Sequence, residues 1–247
     1  MKVAADPVIR FDSCSKAFSG RKVLDAVTFE VRRGEILFVL GRSGMGKSVT
    51  LKHIIGMMQP DSGRVQVLGR DLPDGLQEVR RRCGMVFQQP ALIDSLTVLE
   101  NVGFGLRHLP PAEIRSRVLE VMDRVRLGDD LPGILDKLPA ALSYGMQKRV
   151  SLARTLAPRP EILLFDEPTT GLDPITTRAI NRLIEELSRS LAVTSVVVSH
   201  DMGCALEIAD RILVLDEGRI LALGTVDEIR RHPSSLIREF LAEELSR

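Results

Sequence analysis

Gly41, Arg42, Ser43, Gly44, Met45, Gly46, Lys47 and Ser48 stand in a row and match the pattern G-x-x-x-x-G-K-S/T. Each residue type there answers a need of phosphate binding. Glycines let successive backbone N–H groups turn inward around phosphate oxygens. A helix start adds unpaired donors and a partial positive charge. Lys47 is placed to reach the β- and γ-phosphates, and the Ser48 hydroxyl to ligate Mg²⁺. With Val49 behind it, the loop is a candidate triphosphate cradle. A second stretch completes the chemistry. The apolar residues Ile162, Leu163, Leu164 and Phe165 deliver Asp166 and Glu167 to a strand end. Asp166 is placed to hold Mg²⁺, directly or through water. Glu167 is placed to polarise an attacking water, a role worth about 10²–10⁴-fold in rate. The two stretches together require a nucleoside triphosphate and Mg²⁺. They do not separate a kinase, a GTPase, a helicase or a transport motor. No guanine-reading NKxD segment is visible, which disfavours GTP.

These residues need elements to position them. The first third alternates short β-rich runs (VIRF, VTFEV, EILFVL, RVQVL) with turns at Ser19-Gly20, Arg33-Gly34 and Ser62-Gly63, as strands, several of them antiparallel, would. A helix from about Lys47 to Ile55 interrupts them, with Gly56 as its stop. From about Thr97 to Leu156 the periodicity is helical. Ile114, Val118, Leu119, Met122 and Val125 form the apolar face of one helix, and Pro111 suits its first turn. The last third alternates strand and helix again, which implies parallel pairing with helices on both faces. In the tail, Leu236, Ile237, Phe240, Leu241 and Leu245 recur at helical spacing, as for packing on the chain's own core.

The expected fold is therefore α/β: a parallel-sheet core of the P-loop NTPase type, with an antiparallel β part at its start and an inserted helical part at about 91–156. Composition narrows the partners. There are 34 basic and 33 acidic residues, a net charge of +1, which gives no reason to expect nucleic acid. The run Arg80-Arg81-Arg82 reads as a solvated helix end. Cys14, Cys83 and Cys204 lie far apart and form no C-x-x-C pair, so neither a zinc site nor a disulfide framework is expected. The first ten residues lack the apolar stretch of a secretory signal. The longest apolar runs are strand-sized, far below the roughly 20 residues of a membrane span. Any membrane attachment is expected to come through a partner.

The order of these motifs resembles the ATP-binding cassette (ABC) ATPase family over about residues 7–230, leaving 231–247 as a helical tail. The family's L-S-G-G-Q signature is similar to Leu142-Ser143-Tyr144-Gly145-Met146, which stands ahead of ILLFDE at the family distance. The resemblance implies several further assignments. Gln88, in VFQQP, is the Q-loop glutamine, lining the hydrolysis site and contacting the metal. Asp173, in GLDP, is the D-loop aspartate that links two subunits. His200, in VVVSHD, is the switch histidine. Phe18, in SKAFSG, is the aromatic that stacks on adenine. Ser143 and Gly145 contact the γ-phosphate of ATP held by a second copy, so two copies sandwich two ATP. Three positions depart from the family pattern: Tyr144 for the first signature glycine, Met146 for the glutamine, and Ala141 where many members carry glutamate. A helix-start geometry would leave the Tyr144 ring free to lean on the partner copy.

The stretches GRSGMGKSVTLK, ALIDSLTVLENVGFGLR and DEPTTGLDPIT, with the methionine of LSYGM, are similar to the Mla-type, lipid-asymmetry branch of that family. This finer resemblance implies phospholipid movement in a Gram-negative envelope. The expected partners are an integral-membrane permease and an MCE-type substrate-binding protein, at the cytoplasmic face of the inner membrane. The alternatives are a cassette for another cargo, such as amino acids or a small drug-like solute, and a soluble cassette working in DNA repair or translation.

Overall fold

The computed structural model describes residues 7–129 and 131–245. β1 (Pro7–Phe18) and β2 (Arg21–Arg32) pair antiparallel through a tight turn at Ser19 and Gly20, both with φ > 0. That is the twist a two-residue hairpin demands. Along β2 every second residue from Val27 to Val31 is buried, the signature of a sheet with one covered face. β3 (Ile36–Leu40) then enters the core, and α1 (Lys47–Ile54) leaves it through the glycine-rich loop. β4 (Ser62–Val67) and the short β5 (Arg70–Asp71) return to the first sheet, whose order is β2-β1-β4-β5.

α2 (Leu76–Arg82) and β6 (Cys83–Val86) follow. The sequence marks only the end of α2, at its arginine run, and does not mark β6. Four residues including a glycine are a weak strand signal, and β6 exists through its parallel pairing with a neighbour far along the chain, Cys83 opposite Ile162. The arginine run ends α2, as expected. Arg82 Nε binds Glu161 Oε1 at 2.6 Å, and Arg80 donates to the carbonyls of Ile55 and Gly56.

Helices without strands come next: α3 (Val98–Gly103), α4 (Pro111–Arg124), α5 (Leu131–Ile134) and α6 (Tyr144–Leu156). Thr97 caps α3 in a reciprocal box with Glu100. α4 buries Val118, Val121 and Met122, while Leu119, expected on its apolar face, is 36% exposed. Successive helical residues are about 100° apart, so the face shared by Val118, Val121, Met122 and Val125 is centred close to Val118 and turns Leu119 aside.

β7 (Ile162–Asp166), α7 (Pro174–Ser190), β8 (Thr194–Ser199), α8 (Met202–Ile208), β9 (Arg211–Asp216) and β10 (Arg219–Thr225) complete a six-stranded sheet of order β10-β9-β3-β8-β7-β6. All its pairings are parallel except the β9–β10 hairpin. Burial on both faces explains the continuous apolar runs of β3, β7 and β8. Ile36, Phe38 and Leu40 face the helical side, whereas Leu37 and Val39 face α1 and the antiparallel sheet. α9 (Val226–Arg230) and α10 (Ser235–Leu245) close the chain. Ile237 is fully buried in the main core and Phe240 and Leu241 pack on it, so the tail folds onto its own core; the side chain of Leu245 lies outside the described residues. Among the described residues, no helix is long and apolar enough to cross a membrane.

α1 also buries a histidine. His53 is 1% exposed and edge-on to the Phe11 ring. Its Nδ1 donates to the Val49 carbonyl at 2.7 Å, and its Nε2 has no hydrogen-bond partner. Burial pushes its pKa below the ordinary 6.5. The unfolded chain therefore takes up a proton near that pH that the folded chain refuses. This contribution to stability is present above 6.5 and is lost as pH falls below it. The urea midpoint is expected to drop between pH 7 and pH 5 less steeply in His53→Gln than in wild type. Equal slopes would remove His53 from the account.

Candidate active site

The phosphate loop runs from the end of β3 to the start of α1 at the carboxyl edge of the parallel strands, where such sheets bind ligands. The chain is too close to its neighbours there for most side chains. A Cβ on Gly41 would lie 2.4 Å from the Leu215 carbonyl oxygen, and one on Gly46 2.5 Å from that of Val23. Lys47 folds back over the loop: Nζ donates to the carbonyls of Gly41 (2.8 Å) and Arg42 (3.1 Å) and stands 3.7 Å from Glu167 Oε1. Arg42 and Met45 send their side chains elsewhere, to Glu239 and to the Glu217 backbone N–H respectively. They offer the loop their backbone alone.

β7 delivers the acidic pair. Ser48 Oγ donates to Asp166 Oδ1 at 2.7 Å. Glu167 has φ 48 and donates its N–H to Val198 at 2.9 Å. A left-handed backbone at a non-glycine residue costs about 1–3 kcal/mol and persists where the surroundings over-determine it. The bend aims the carboxylate at three groups. Oε2 accepts from Thr170 Oγ1 (3.4 Å) and meets His200 Nδ1 (2.7 Å), while Oε1 faces Lys47. His200 follows directly on β8.

A cleft of about 610 Å³ collects these groups; its lining holds Ser43, Gly44, Gly46, Lys47, Ser48, Val49, Gln88, Glu167 and His200, together with Val23 and Thr170. The last two escaped the sequence reading. Thr170 could have been found as the hydroxyl one turn beyond Glu167; nothing in the sequence marks Val23. Ser48 and Gln88 line the cleft, and Asp166, outside its lining, is tied to it by its bond to Ser48 Oγ; a hydroxyl, a carboxylate and an amide oxygen make an all-oxygen set of candidate donors. That suits Mg²⁺, which keeps several waters and takes phosphate oxygens rather than a full protein cage. No group of three or more His, Cys, Asp or Glu able to hold a metal occurs among the described residues.

Phe18, Asp173, Ser143 and Gly145 also lie outside the cleft lining. Phe18 ends β1 and is 43% exposed. Asp173 caps α7, accepting from the N–H groups of Ile175 and Thr176 and from the Thr176 hydroxyl at 2.6 Å, which holds its carboxyl below the usual range. Ser143 caps α6 by accepting from the Met146 N–H, and Gly145 lies in the first turn. Tyr144 is helical, as expected, and its ring is 40% exposed, with its Cε1 edge 3.6 Å from where a Cβ on Gly171 would be.

A family model described as "ABC transporter" matches residues 24–170. The chain belongs to the ABC transporter ATP-binding family. It is thus an ATPase that uses ATP with Mg²⁺ to energise a transporter. Among curated relatives it is 40% identical over 245 residues to the methionine import ATP-binding protein MetN of Caulobacter vibrioides, covering 96% of this chain and 73% of that one. It is 42% identical over 239 residues to MetN 2 of Rhodococcus jostii, covering 93% and 69%. The model superimposes on cbiO1 from Clostridium perfringens, part of the ABC transporter complex cbiONQ, with a TM-score of 0.82, 30% identity and coverage of 97% of this chain and 99% of that one. It likewise superimposes on the ATP-binding cassette MJ0796, a dimer in a post-hydrolysis state with ADP and Pi, with a TM-score of 0.79, 32% identity and coverage of 88% and 98%. The family assignment drawn from the motifs is borne out. The finer resemblance to the phospholipid branch, with its MCE-type partner, finds no support among these relatives.

Proposed function

We propose that this chain is the ATP-hydrolysing subunit of an importer whose cargo is an amino acid of the methionine type. Two copies would act together on an integral-membrane permease at the cytoplasmic face of the membrane. The observation that carries this reading is 40% identity to a methionine import ATP-binding protein across 96% of the chain. Residues 7–230 form the ATPase unit, with 91–156 as its helical part and 231–247 as a tail.

In this reading the backbone of residues 41–48 and Lys47 hold the triphosphate, with Phe18 against the base. Ser48, Asp166 and Gln88 would hold Mg²⁺, which supplies charge neutralisation on the phosphate oxygens. Glu167 takes the proton of the attacking water, and His200, hydrogen-bonded to it, fixes the carboxylate. Ser143 and Gly145 contribute from the second copy, because α6 presents unpaired N–H groups at its start. Asp173 ties one copy to the other. Closing around ATP is then a population shift driven by contacts that exist only in the paired state.

Affinity purification from detergent-solubilised membranes, with mass spectrometry of proteins and bound small molecules, tests the cargo. A permease recovered with an amino-acid-binding protein, and turnover stimulated by methionine, is the expected result. Recovery of an MCE-type protein with phospholipid would replace it with the lipid reading that the LSYGM and GRSGMGKSVTLK stretches suggest. DNA-stimulated turnover with no membrane partner would overturn both.

A further inference from the structure

Lys148 lies one turn beyond Tyr144 on α6 and is only 3% exposed. Its ammonium donates to the main-chain carbonyl of Gln88 and stands 5.5 Å from the centre of the Tyr144 ring. A buried cation normally has a carboxylate beside it; this one has a carbonyl and the face of a ring. Burial pushes its pKa down. An apolar side chain of the same length would fill the space without that cost, so the ammonium is there for what it holds.

What it holds is the loop after β6. Gln88 lines the cleft, while Lys148 and Arg154, both on α6, bind the loop at the carbonyls of Gln88 and Ala91. At the other end of the same contact, the edge of the Tyr144 ring lies beside Gly171, next to Thr170, whose hydroxyl reaches Glu167. One ammonium thus sits between the elements that carry the two walls of the cleft.

We propose that Lys148 is a positioning residue for ATP hydrolysis, fixing Gln88 in the cleft relative to the Glu167 and Thr170 wall through its bond to the Gln88 carbonyl and its seat on Tyr144. The inference rests on the ATPase reading above. It acts through placement, so loss of the ammonium affects the chemical step and spares nucleotide binding.

The test is steady-state ATP hydrolysis by the full chain carrying Lys148→Met, Lys148→Arg, Gln88→Ala, and Lys148→Met combined with Gln88→Ala. Lys148→Met is expected to lower kcat about tenfold or more with KM for ATP within about threefold, since a misplaced group costs rate more than affinity. Lys148→Arg, which keeps a cationic donor, is expected to recover at least about half the turnover. In the Gln88→Ala background the same Lys148→Met change is expected to cost less than about twofold more, because both changes remove one function. Unchanged kcat, a rise in KM alone, or the full loss repeated in the Gln88→Ala background would overturn the proposal. Should Lys148→Met fail to fold by circular dichroism, Lys148→Gln, whose side chain is one bond too short for the carbonyl, is judged by the same criteria. A wild-type chain that turns over no ATP sinks the ATPase reading and this inference with it. Wild-type turnover with an indifferent Lys148→Met sinks the inference alone.

Discussion

Glu167→Gln is expected to lower ATP turnover by about 10²–10⁴-fold, the range for removing a positioned general base, while ATP-Mg²⁺ still binds and copies still pair. The substitution keeps the shape. A glutamine amide oxygen can accept from Thr170 and His200 as the carboxylate does now, and the bend at φ 48 is set by the backbone bond to Val198 rather than by the charge. What is lost is the negative charge, and with it the proton affinity. Charge also favours binding in the variant. The carboxylate lines the cleft and stands 3.7 Å from Lys47; in the proposed function it would share that cleft with the triphosphate, so neutralising it removes a like charge from the ligand and leaves the ammonium to the phosphates. Turnover is read as phosphate release, and pairing as molar mass by light scattering at saturating ATP-Mg²⁺. The expected species is a dimer that does not decay. Monomer alone under those conditions would contradict a cycle in which hydrolysis reopens the pair.

The phosphate loop was legible because its chemistry restricts residue types: only glycine tolerates a carbonyl 2.5 Å from its Cβ position, and only a cation on a long stem folds back as Lys47 does. Asp166 and Glu167 were legible as acids at the end of an apolar run. The left-handed backbone of Glu167 was not, because glutamate carries none of the signal that glycine carries there. β6 was missed for a related reason. Its strand character comes from β7, some eighty positions on, and not from its own four residues. The approach of the Tyr144 ring edge to Gly171 joins separate parts of the chain, which local periodicity does not encode. Cargo is least legible of all. In the proposed function the cleft serves ATP, and selectivity belongs to partners that touch the cargo.

Gly46→Ala and Gly44→Ala are expected to separate two reasons for a glycine in the same loop. Both positions have φ > 0, 80 at Gly44 and 91 at Gly46, so both variants bear the cost of a left-handed alanine, roughly 1 kcal/mol. They differ in space. A Cβ at Gly44 meets nothing within 4 Å, whereas one at Gly46 meets the Val23 carbonyl oxygen at 2.5 Å and Leu24 Cδ2 at 2.9 Å. The carbonyl belongs to β2, which is held along its length by β1, so relief has to come from the loop. Gly46 is also the N-cap of α1, and any shift there carries Lys47 and Ser48 with it. Gly44→Ala is therefore expected to keep ATP affinity within about tenfold, the worth of about 1.4 kcal/mol. Gly46→Ala is expected to lose about a hundredfold or more, because phosphate, Mg²⁺ and lysine contacts fail together. Overpacking against backbone costs typically 1–3 kcal/mol beyond the φ term, which for a chain of this size lowers Tm by roughly 2–4 °C per kcal/mol. ATP titration and thermal melting of both variants check it. Equal losses would mean that backbone conformation alone decides the loop. A loss confined to Gly46→Ala would locate the constraint in β2, the strand that supplies Val23 to the cleft.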